Sequence, residues 1–301
     1  MKIGIDVGGS HIGLGIVDKN GTMLYKKEKD YKLHIDDMSP IVLDTIIELI
    51  EELIKENDII VQEIESIGIA FPGTVSNGIV IKAENLGIEN FEIVEELNRK
   101  FDMPIRLEND AKCAAIAEKK YGSLKKYDDA LFLIIGTGIG GAVFLKGELL
   151  KPKRYSGFEV GHMAISKDGP KCNCGRNGCF EVYSSIKRLK QKIQKEFDLQ
   201  DIDGKKIEQF MIKNIENERL NSIIDTYIDY LALGIANLIN IFEPEAISIG
   251  GSFAHYKEIL LKKLEENLLN GDGLYNKGEL PKIEVAELKN DAGIIGAALQ
   301  F

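Results

Sequence analysis

Residues 130–145 read Ala-Leu-Phe-Leu-Ile-Ile-Gly-Thr-Gly-Ile-Gly-Gly-Ala-Val-Phe-Leu. Two strongly apolar runs, 130–135 and 142–145, flank a loop that is mostly glycine. Short apolar runs bounded by glycine are typical of buried β-strands, and a glycine-rich connection between two of them predicts a hairpin. A Lys-Gly-Glu turn follows the second run. The segment is therefore predicted to form a strand, a glycine loop, a second strand and a turn.

The N-terminus repeats this plan. Alternating apolar residues from Ile3 to Val7 lead into Gly8-Gly9, a second apolar run extends from Ile12 to Ile16, and a glycine turn follows. Two copies of one unit, about 130 residues apart, indicate a duplicated architecture. Helical patterns between the strands indicate α/β composition with mixed sheets. We therefore predict a duplicated two-domain α/β fold with a cleft between the domains and the two glycine loops facing each other across it.

Three patterns predict helices with defined ends. Ser39-Pro40 is expected to cap a helix, with proline in its first turn, because apolar residues follow at helical spacing. A long apolar-periodic stretch near 216–242 is expected to end at Glu243-Pro244, since proline cannot continue a helix. An alanine-rich helix is expected from Ala292 to the C-terminus.

Composition and charge limit the classes of function. The 301 residues carry 48 acidic and 38 basic side chains, a formal net charge of −10. Such a surface repels phosphate backbones and anionic lipid, so we expect neither nucleic-acid nor membrane binding as the main activity. The N-terminus lacks the basic and apolar regions of a signal peptide, and no 18-residue apolar run is evident in the sequence. We therefore expect a cytoplasmic protein.

The two glycine loops are candidates for phosphate binding. The spacing Gly136-x-Gly138-x-x-Gly141 matches the dinucleotide fingerprint, but that motif must open a helix, and here a strand pattern follows. Glycines in a tight hairpin can present backbone N–H groups to phosphate oxygens, because they accept positive φ and leave room for close approach. Asp6 stands inside an apolar strand before the first loop, where a carboxylate is costly unless paired. A magnesium-bound nucleotide would supply the partner.

Asn109-Asp110 precedes a predicted helix, and two interpretations apply. Either residue is a common helix N-cap. Alternatively, Asp110 accepts the proton from an attacking hydroxyl, because phosphoryl transfer requires little more from a protein than a base, charge neutralisation and positioning. Both roles can hold in one segment.

Three cysteines and one histidine form a candidate zinc site: His162, Cys172, Cys174 and Cys179. One imidazole and three thiolates complete a tetrahedral zinc sphere, so the metal would be structural. The alternative is a satisfied core histidine with free thiols, and the cysteine spacing argues against it. Glycines at 175 and 178 would let the loop wrap around an ion. The fourth cysteine, Cys113, lies in an alanine-rich helical segment and is expected to be a small buried hydrophobe.

Seven motifs standing in order resemble the ROK family (repressors, open reading frames, kinases), and within it the bacterial glucokinases. The resemblance covers essentially the whole chain, and its most specific part is the cysteine motif together with Glu-x-Gly-His. The motifs are Asp6-Val-Gly-Gly-Ser10, Glu108-Asn-Asp-Ala111, Gly136-Thr-Gly-Ile-Gly140, Glu159-Val-Gly-His162, Cys172-Asn-Cys-Gly-Arg-Asn-Gly-Cys-Phe-Glu181, Gly250-Gly251 and Asn290-Asp-Ala-Gly293.

The resemblance implies two domains of the actin-like ATPase (ribonuclease H-like) fold that close on ATP, Mg²⁺ and a hexose. The smaller domain would comprise 1–112 and 291–301, and the larger one, carrying the zinc loop, 113–290. Asp110 would be the catalytic base. The sugar contacts would be Gly73, Asn85, Asn109, Asp110, Glu159, His162 and Glu181. The nucleotide contacts would be Asp6, Gly8, Gly9, Ser10, Thr137, Gly138, Gly250 and Gly251. Family members are usually homo-oligomers, dimers or tetramers.

The chain departs from the family pattern at four places. Ser10-His11 replaces the common Thr-Lys, Phe71 replaces alanine, Glu84 replaces proline, and Lys112 replaces a small polar residue. The leading hypothesis is an ATP-dependent kinase acting on the 6-hydroxyl of a hexose, with glucose first. An N-acetylmannosamine kinase or fructokinase is the alternative on the same scaffold. A sugar-responsive transcription regulator is a weaker third hypothesis, because Met1 begins the strand of the first loop and the net charge opposes DNA binding.

Overall fold

The computed structural model describes residues 1–32, 37–152, 157–199, 204–271 and 279–300. The chain divides into two compact units. The first unit comprises Met1–Lys125, Leu150–Gly157 and Glu287–Phe301, and the second comprises Lys126–Leu149 and Phe158–Ala286. The domain boundary expected at residue 112 falls inside a helix that belongs wholly to the first unit, so the domain limits stay a prediction.

Thirteen strands are present among the described residues. They are β1 (Lys2–Val7), β2 (His11–Val17), β3 (Met23–Asp30), β4 (Ser66–Phe71), β5 (Thr74–Ser76), β6 (Ile79–Ala83), β7 (Ile88–Phe91), β8 (Ile105–Asn109), β9 (Ala130–Ile135), β10 (Ile139–Leu145), β11 (Glu148–Leu149), β12 (Ala246–Gly250) and β13 (Lys282–Val285).

Nine α-helices accompany the strands in the same described ranges. They are α1 (Ser39–Glu56), α2 (Ile93–Asn98), α3 (Asp110–Tyr121), α4 (Phe180–Ser184), α5 (Ile186–Glu196), α6 (Gly204–Lys213), α7 (Glu218–Phe242), α8 (Lys257–Asn270) and α9 (Ala292–Ala298).

Each unit is built on a five-stranded mixed sheet of the same design. The first sheet has the order β3-β2-β1-β4-β8, and the second has the order β11-β10-β9-β12-β13. In both sheets the first three strands pair antiparallel and the last two join in parallel. The two copies of one unit that the glycine loops predicted are therefore confirmed, and both loops connect corresponding strands.

Helix α9 packs directly on the first sheet because glycine replaces larger side chains at the contact. A β-carbon at Gly4 would lie 1.9 Å from the carbonyl oxygen of Ile294, and one at Gly68 would lie 1.8 Å from that of Ala297. Gly4 and Gly68 are register partners on β1 and β4. These neighbouring glycines leave room for the helix backbone itself, so α9 lies against the strand that carries Asp6.

Helix α7 is the central helix of the second core, with eleven buried residues between Leu220 and Ile239. It is also the one described helix long and apolar enough, by length and composition alone, to cross a membrane. Over half of its most apolar window, 56%, is buried inside the structure, as expected for a core helix. The expected helix end is confirmed, since α7 stops at Phe242 and Glu243 takes a left-handed conformation with φ 45°.

Two local predictions are wrong or incomplete. Ser39 does not cap α1: it is the first helical residue, and its N–H donates to Asp37 Oδ1 at 2.9 Å. A separate three-stranded sheet of order β5-β6-β7 was not predicted from the sequence. Its strands of three to five residues are too short for alternation to be recognised.

Candidate active site and metal centre

Two carboxylates come close together in the first unit. Asp6 lies near the end of β1, and Asp110 is the first residue of α3. Burial, and next the charge of Asp110, raise the pKa of Asp6 to about 7, although the charge of Lys26 opposes the shift. A buried carboxylate that interacts electrostatically with a second one is a natural site for a cation.

Asn109 orients Asp110 and caps its helix. Its side-chain oxygen accepts from the Lys112 N–H at 3.3 Å, so the predicted N-cap role is confirmed. Its Nδ2 donates to Asp110 Oδ1 at 3.0 Å and to the Gly73 carbonyl at 3.0 Å. Asp110 Oδ1 also accepts from the Ala111 N–H at 2.8 Å. The amide thus holds one oxygen of the carboxylate beside the chain at residue 73.

Gly73 takes the conformation that only glycine adopts readily. Its φ is 91°, and a β-carbon there would lie 2.3 Å from the Lys82 carbonyl oxygen. Asn85 is exposed in a short 3₁₀ turn, Glu84–Leu86. The neighbouring Glu84 departs from the family pattern and pairs with Lys82 at 2.7 Å.

Lys112, another departure, is buried at 1% exposure. Its Nζ donates to the Gly157 carbonyl at 3.0 Å. The long side chain therefore connects the first turn of α3 with residue 157, which precedes the Glu-x-Gly-His motif in the sequence. A basic residue in place of a small polar one is accommodated by this internal contact.

The first glycine loop, Gly8 to Ser10, is open at one position. The Gly8 N–H donates to the His11 carbonyl at 2.8 Å, and the Tyr31 hydroxyl donates to the Gly8 carbonyl. A β-carbon at Gly9 would meet nothing within 4 Å. The expectation that these loop glycines use positive φ is wrong, because Gly8 and Gly9 are not among the positive-φ residues. Room for close approach is present at Gly9 and not at Gly8, where a β-carbon would lie 2.9 Å from His11 Cε1.

The four predicted zinc ligands come together in the second unit. One ligand atom from each of His162, Cys172, Cys174 and Cys179 lies within 4.8 Å of every other. Cys172 Sγ is 3.5 Å from His162 Nδ1, and Cys174 Sγ is 3.6 Å from Cys179 Sγ. Zn–S bonds of about 2.3 Å and Zn–N bonds of about 2.0 Å at tetrahedral angles require ligand separations of this size. The residues therefore fit a zinc ion.

Backbone hydrogen bonds and turns determine the shape of the loop that carries the cysteines. The Cys172 N–H donates to the Arg176 carbonyl at 2.8 Å, and the Gly175 N–H donates back to Cys172 at 3.0 Å. Gly175 and Gly178 have φ of 88° and 69°. A β-carbon at Gly178 would lie 1.6 Å from the Ser166 carbonyl oxygen. The prediction that these two glycines let the loop wrap is confirmed.

The thiols differ in their affinity for protons. Backbone hydrogen bonding from Arg176 lowers the pKa of Cys174 to about 6, and the neighbouring thiols contribute. Burial raises the pKa of Cys179 to about 12, reinforced by the other two cysteines. Zinc binding would require Cys179 to lose its proton, and the charge of the ion would favour that loss.

The second glycine loop, Gly136–Gly141, contacts the segment that follows the cysteines. Glu181 Oε2 accepts from the Ile139 N–H at 2.9 Å. A β-carbon at Gly138 would lie 2.2 Å from the same oxygen. The Gly136 carbonyl accepts from the Lys187 N–H at 3.1 Å. Here too the glycines 136 and 138 do not have positive φ, contrary to expectation.

The remaining site candidates of the second unit lie at element ends. Glu159 is exposed, and its carbonyl accepts from the His162 N–H at 3.0 Å. Gly250 ends β12, and Gly251 follows with φ 72°. A β-carbon at Gly251 would lie 2.9 Å from the Ile135 carbonyl oxygen, so this position requires glycine.

Residues 2–301 match the model of the ROK family. The chain belongs to the ROK family. A glucokinase from Thermotoga maritima is 31% identical over 318 residues, covering 98% of this chain and 95% of the relative. A xylose repressor from Caldicellulosiruptor bescii is 28% identical, covering 98% of this chain and 76% of the relative. The crystal structure of a ROK hexokinase from Thermus thermophilus has a TM-score of 0.78 at 28% identity, covering 99% and 96% of the two chains.

This ROK chain therefore has the actin-like ATPase type of fold that the resemblance implied. Within the first unit Asp6, Asn109, Asp110 and Gly73 are associated through contacts or electrostatics. Within the second unit the zinc ligands form one cluster, and Glu181 joins the glycine loop. Gly293 was not predicted as a site residue, yet a β-carbon there would lie 2.3 Å from Asp6 Oδ2. Its place in the Asn290–Gly293 motif was the available signal.

Proposed function

We propose that the protein is an ATP-dependent sugar kinase that phosphorylates the 6-hydroxyl of a hexose, with glucose as the first candidate. The observation that carries the proposal is the Asp110 carboxylate, held through Oδ1 by Asn109 and the Ala111 N–H beside a second carboxylate, Asp6. Membership of the ROK family and the similarity to a glucokinase support it.

Asp110 acts as the general base in this proposal. Two donors on Oδ1 fix the orientation of the carboxylate and stabilise its ionised form. A base held in this way accepts the proton of the sugar hydroxyl as that oxygen attacks the terminal phosphate. Asn109 also contacts Gly73, so a single amide aligns the base with a segment expected to contact the sugar.

ATP with Mg²⁺ would supply the transferred phosphoryl group and the charge neutralisation that its transfer requires. The residues present fit such a group, because the close carboxylates Asp6 and Asp110 favour a divalent cation and the open space at Gly9 admits a phosphate. The loops at Gly8–Ser10 and Thr137–Gly138 would donate backbone N–H groups to phosphate oxygens. Gly250 and Gly251 would lie near the nucleoside.

The sugar would be oriented by polar groups from several loops. Gly73, Asn85 and Asn109 are the candidates in the first unit, and Glu159, His162 and Glu181 are those in the second. Zinc would be structural, since four protein ligands leave no open position. His162 would bind the metal through Nδ1. This bond would fix the orientation of the imidazole ring, which is also expected to contact the sugar.

A sugar panel tests the proposal. The purified, zinc-loaded chain would be incubated with ATP and Mg²⁺ and with glucose, mannose, fructose, N-acetylglucosamine or N-acetylmannosamine, while ADP release is measured. We expect turnover with an aldohexose and the largest kcat/KM for glucose. A larger kcat/KM for an N-acetylated sugar or for fructose would change the proposed substrate, while the proposed reaction would stand. ADP release at the sugar-free rate with every sugar would contradict the proposal.

A sugar-responsive regulator is the second candidate, and the similarity to a xylose repressor favours it. A regulator would bind its sugar without consuming ATP. Calorimetric titration with xylose and glucose, performed beside the ADP assay, separates the two functions: saturable sugar binding with no ADP release under any condition would favour the regulator.

A further inference from the structure

Glu181 connects two parts of the second unit that the sequence treats as separate motifs. It lies two residues after the zinc ligand Cys179, in the first turn of α4. Its Oε2 nevertheless accepts a hydrogen bond, 2.9 Å long, from the N–H of Ile139 in the Gly136–Gly141 loop. The carboxylate therefore holds the loop that is expected to contact phosphate.

The contact is tight enough to determine the shape of the loop. A β-carbon at Gly138 would lie 2.2 Å from Glu181 Oε2, so the carboxylate fills the space beside this glycine. The Gly136 N–H donates to the Gly138 carbonyl at 2.9 Å, which closes the turn. Hydrogen bonds to a carboxylate are stronger than those between neutral groups, so this bond restrains the turn.

The zinc loop fixes the position of the backbone that carries Glu181. Cys179 is the residue that precedes α4, and its neighbour Phe180 is fully buried. The Phe180 ring occupies the place of a side chain at Gly234, where a β-carbon would lie 2.2 Å from it. The Phe180 N–H also donates to the Met163 carbonyl, next to His162, at 2.7 Å. Two zinc ligands thus flank the backbone that carries Glu181.

We propose that Glu181 is a positioning residue for the loop Gly136–Gly141, through which zinc at the His-Cys₃ site increases affinity for a nucleoside triphosphate. The inference rests on the proposed function for the nature of the ligand. It differs from the sugar contact expected of Glu181, because it predicts an effect on nucleotide binding in the absence of sugar.

The test compares Glu181→Ala, Glu181→Gln and the control Glu196→Ala in the full, zinc-loaded chain. Glu196 is in the same unit, is exposed and pairs with Arg219 at the surface. The affinity for Mg²⁺ with the non-hydrolysable ATP analogue AMPPNP would be measured by calorimetry without sugar. We expect Glu181→Ala to weaken binding about 10-fold or more, the loss of one charge-assisted hydrogen bond. Glu181→Gln, which keeps an acceptor oxygen, should recover most of the affinity, and the control should match wild type.

Zinc removal by a chelator provides the second arm. We expect it to weaken AMPPNP binding in wild type and to have little further effect in Glu181→Ala, because the connection is already broken. Equal AMPPNP affinity for Glu181→Ala and wild type would overturn the proposal, as would an equal effect of zinc removal in both proteins.

Hydrogen exchange of the amides at 136–141 keeps this test separate from that of the proposed function. Without any ligand, the Ile139 amide should exchange faster in Glu181→Ala and in zinc-free wild type, while β9 stays protected. If no variant binds AMPPNP, the proposed function fails, yet the exchange result still decides whether Glu181 positions the loop. Unchanged exchange at Ile139 would overturn the proposal.

Discussion

Asn109 joins the start of helix α3 to the carboxylate of Asp110. We expect Asn109→Ala to cost about 1 kcal/mol of stability through the lost cap and to lower kcat at least about 10-fold, because Asp110 loses a donor on Oδ1. The matched control is Asn217→Ala: Asn217 caps α7 by accepting from the N–H groups of Arg219 and Leu220. Denaturant unfolding and the ADP assay check both variants.

The two caps separate stability from catalysis. Both variants should lose similar stability, and Asn217→Ala should keep wild-type turnover. If Asn109→Ala also kept wild-type turnover, the side chain would be a cap alone.

Asp6 is predicted to make stability depend on pH. Its folded-state pKa is raised from 3.8 to about 7, mainly by burial. The folded state therefore binds the proton more tightly, so Asp6 favours folding at low pH and this contribution is lost as pH rises from about 4 to about 7. Without Mg²⁺ or nucleotide, we expect wild type to lose about 2 kcal/mol relative to Asp6→Asn between about pH 5 and about pH 8.

Denaturant unfolding of wild type, Asp6→Asn and the control Asp102→Asn at both pH values measures this difference. Asp102 is an exposed carboxylate in the same unit. Its replacement should leave the pH dependence of wild type unchanged. A stability difference between wild type and Asp6→Asn that is independent of pH would show that Asp6 does not titrate in this range.

At the scale of elements, the zinc loop is predicted to depend on its metal. Purification without added metal should give about one zinc per chain. Cys172→Ser should lose the zinc and lower the melting temperature, since a ligand that binds only the folded state stabilises it by about 2.7 kcal/mol at 100 times its Kd. Cys113→Ala should keep the zinc, because Cys113 is a buried thiol in the other unit. A folded, fully active, metal-free wild type would contradict the structural role.

The long elements could be predicted from the sequence, and the short ones could not. Helix α7 and its end at Glu243 follow from apolar spacing and a proline, which act locally. The first residue of α1 was not predicted correctly. Ser39 is inside the helix, and its N–H donates to the side-chain oxygen of Asp37. The strands β5 to β7 were missed because they are too short for an alternating pattern of apolar and polar residues to be recognised.

The glycine loop 136–141 contains a tertiary contact that local sequence patterns do not predict. The glycines at 136 and 138 were expected to accept positive φ and to leave room for the close approach of a phosphate. The structure gives another reason at Gly138: a carboxylate 43 residues away in sequence occupies the space of a side chain. Contacts of this kind depend on the tertiary fold, and no local spacing contains them.

At the scale of the whole molecule, the duplication was the most accessible feature of the sequence. Repeated strand, loop and strand patterns predicted a duplicated unit, and the two five-stranded sheets have corresponding strand orders. The zinc ligands were also predictable, because three cysteines and a histidine seldom lie within so short a segment unless they bind a metal. The choice of sugar could not be predicted in this way: of the departures from the family pattern, Phe71 is fully buried in the core of the first unit and Glu84 is exposed and pairs with Lys82.

The central claim is that Asp110 removes the proton from a hexose hydroxyl during phosphoryl transfer from ATP. The most direct measurement is the kcat for ADP release with glucose, together with the glucose Kd, for wild type, Asp110→Asn and the control Asp102→Asn. We predict a loss of about 10² to 10⁴-fold in kcat for Asp110→Asn with nearly unchanged glucose Kd, and wild-type values for the control. A kcat for Asp110→Asn within about 3-fold of wild type would contradict the account and leave Asp110 as part of a helix cap.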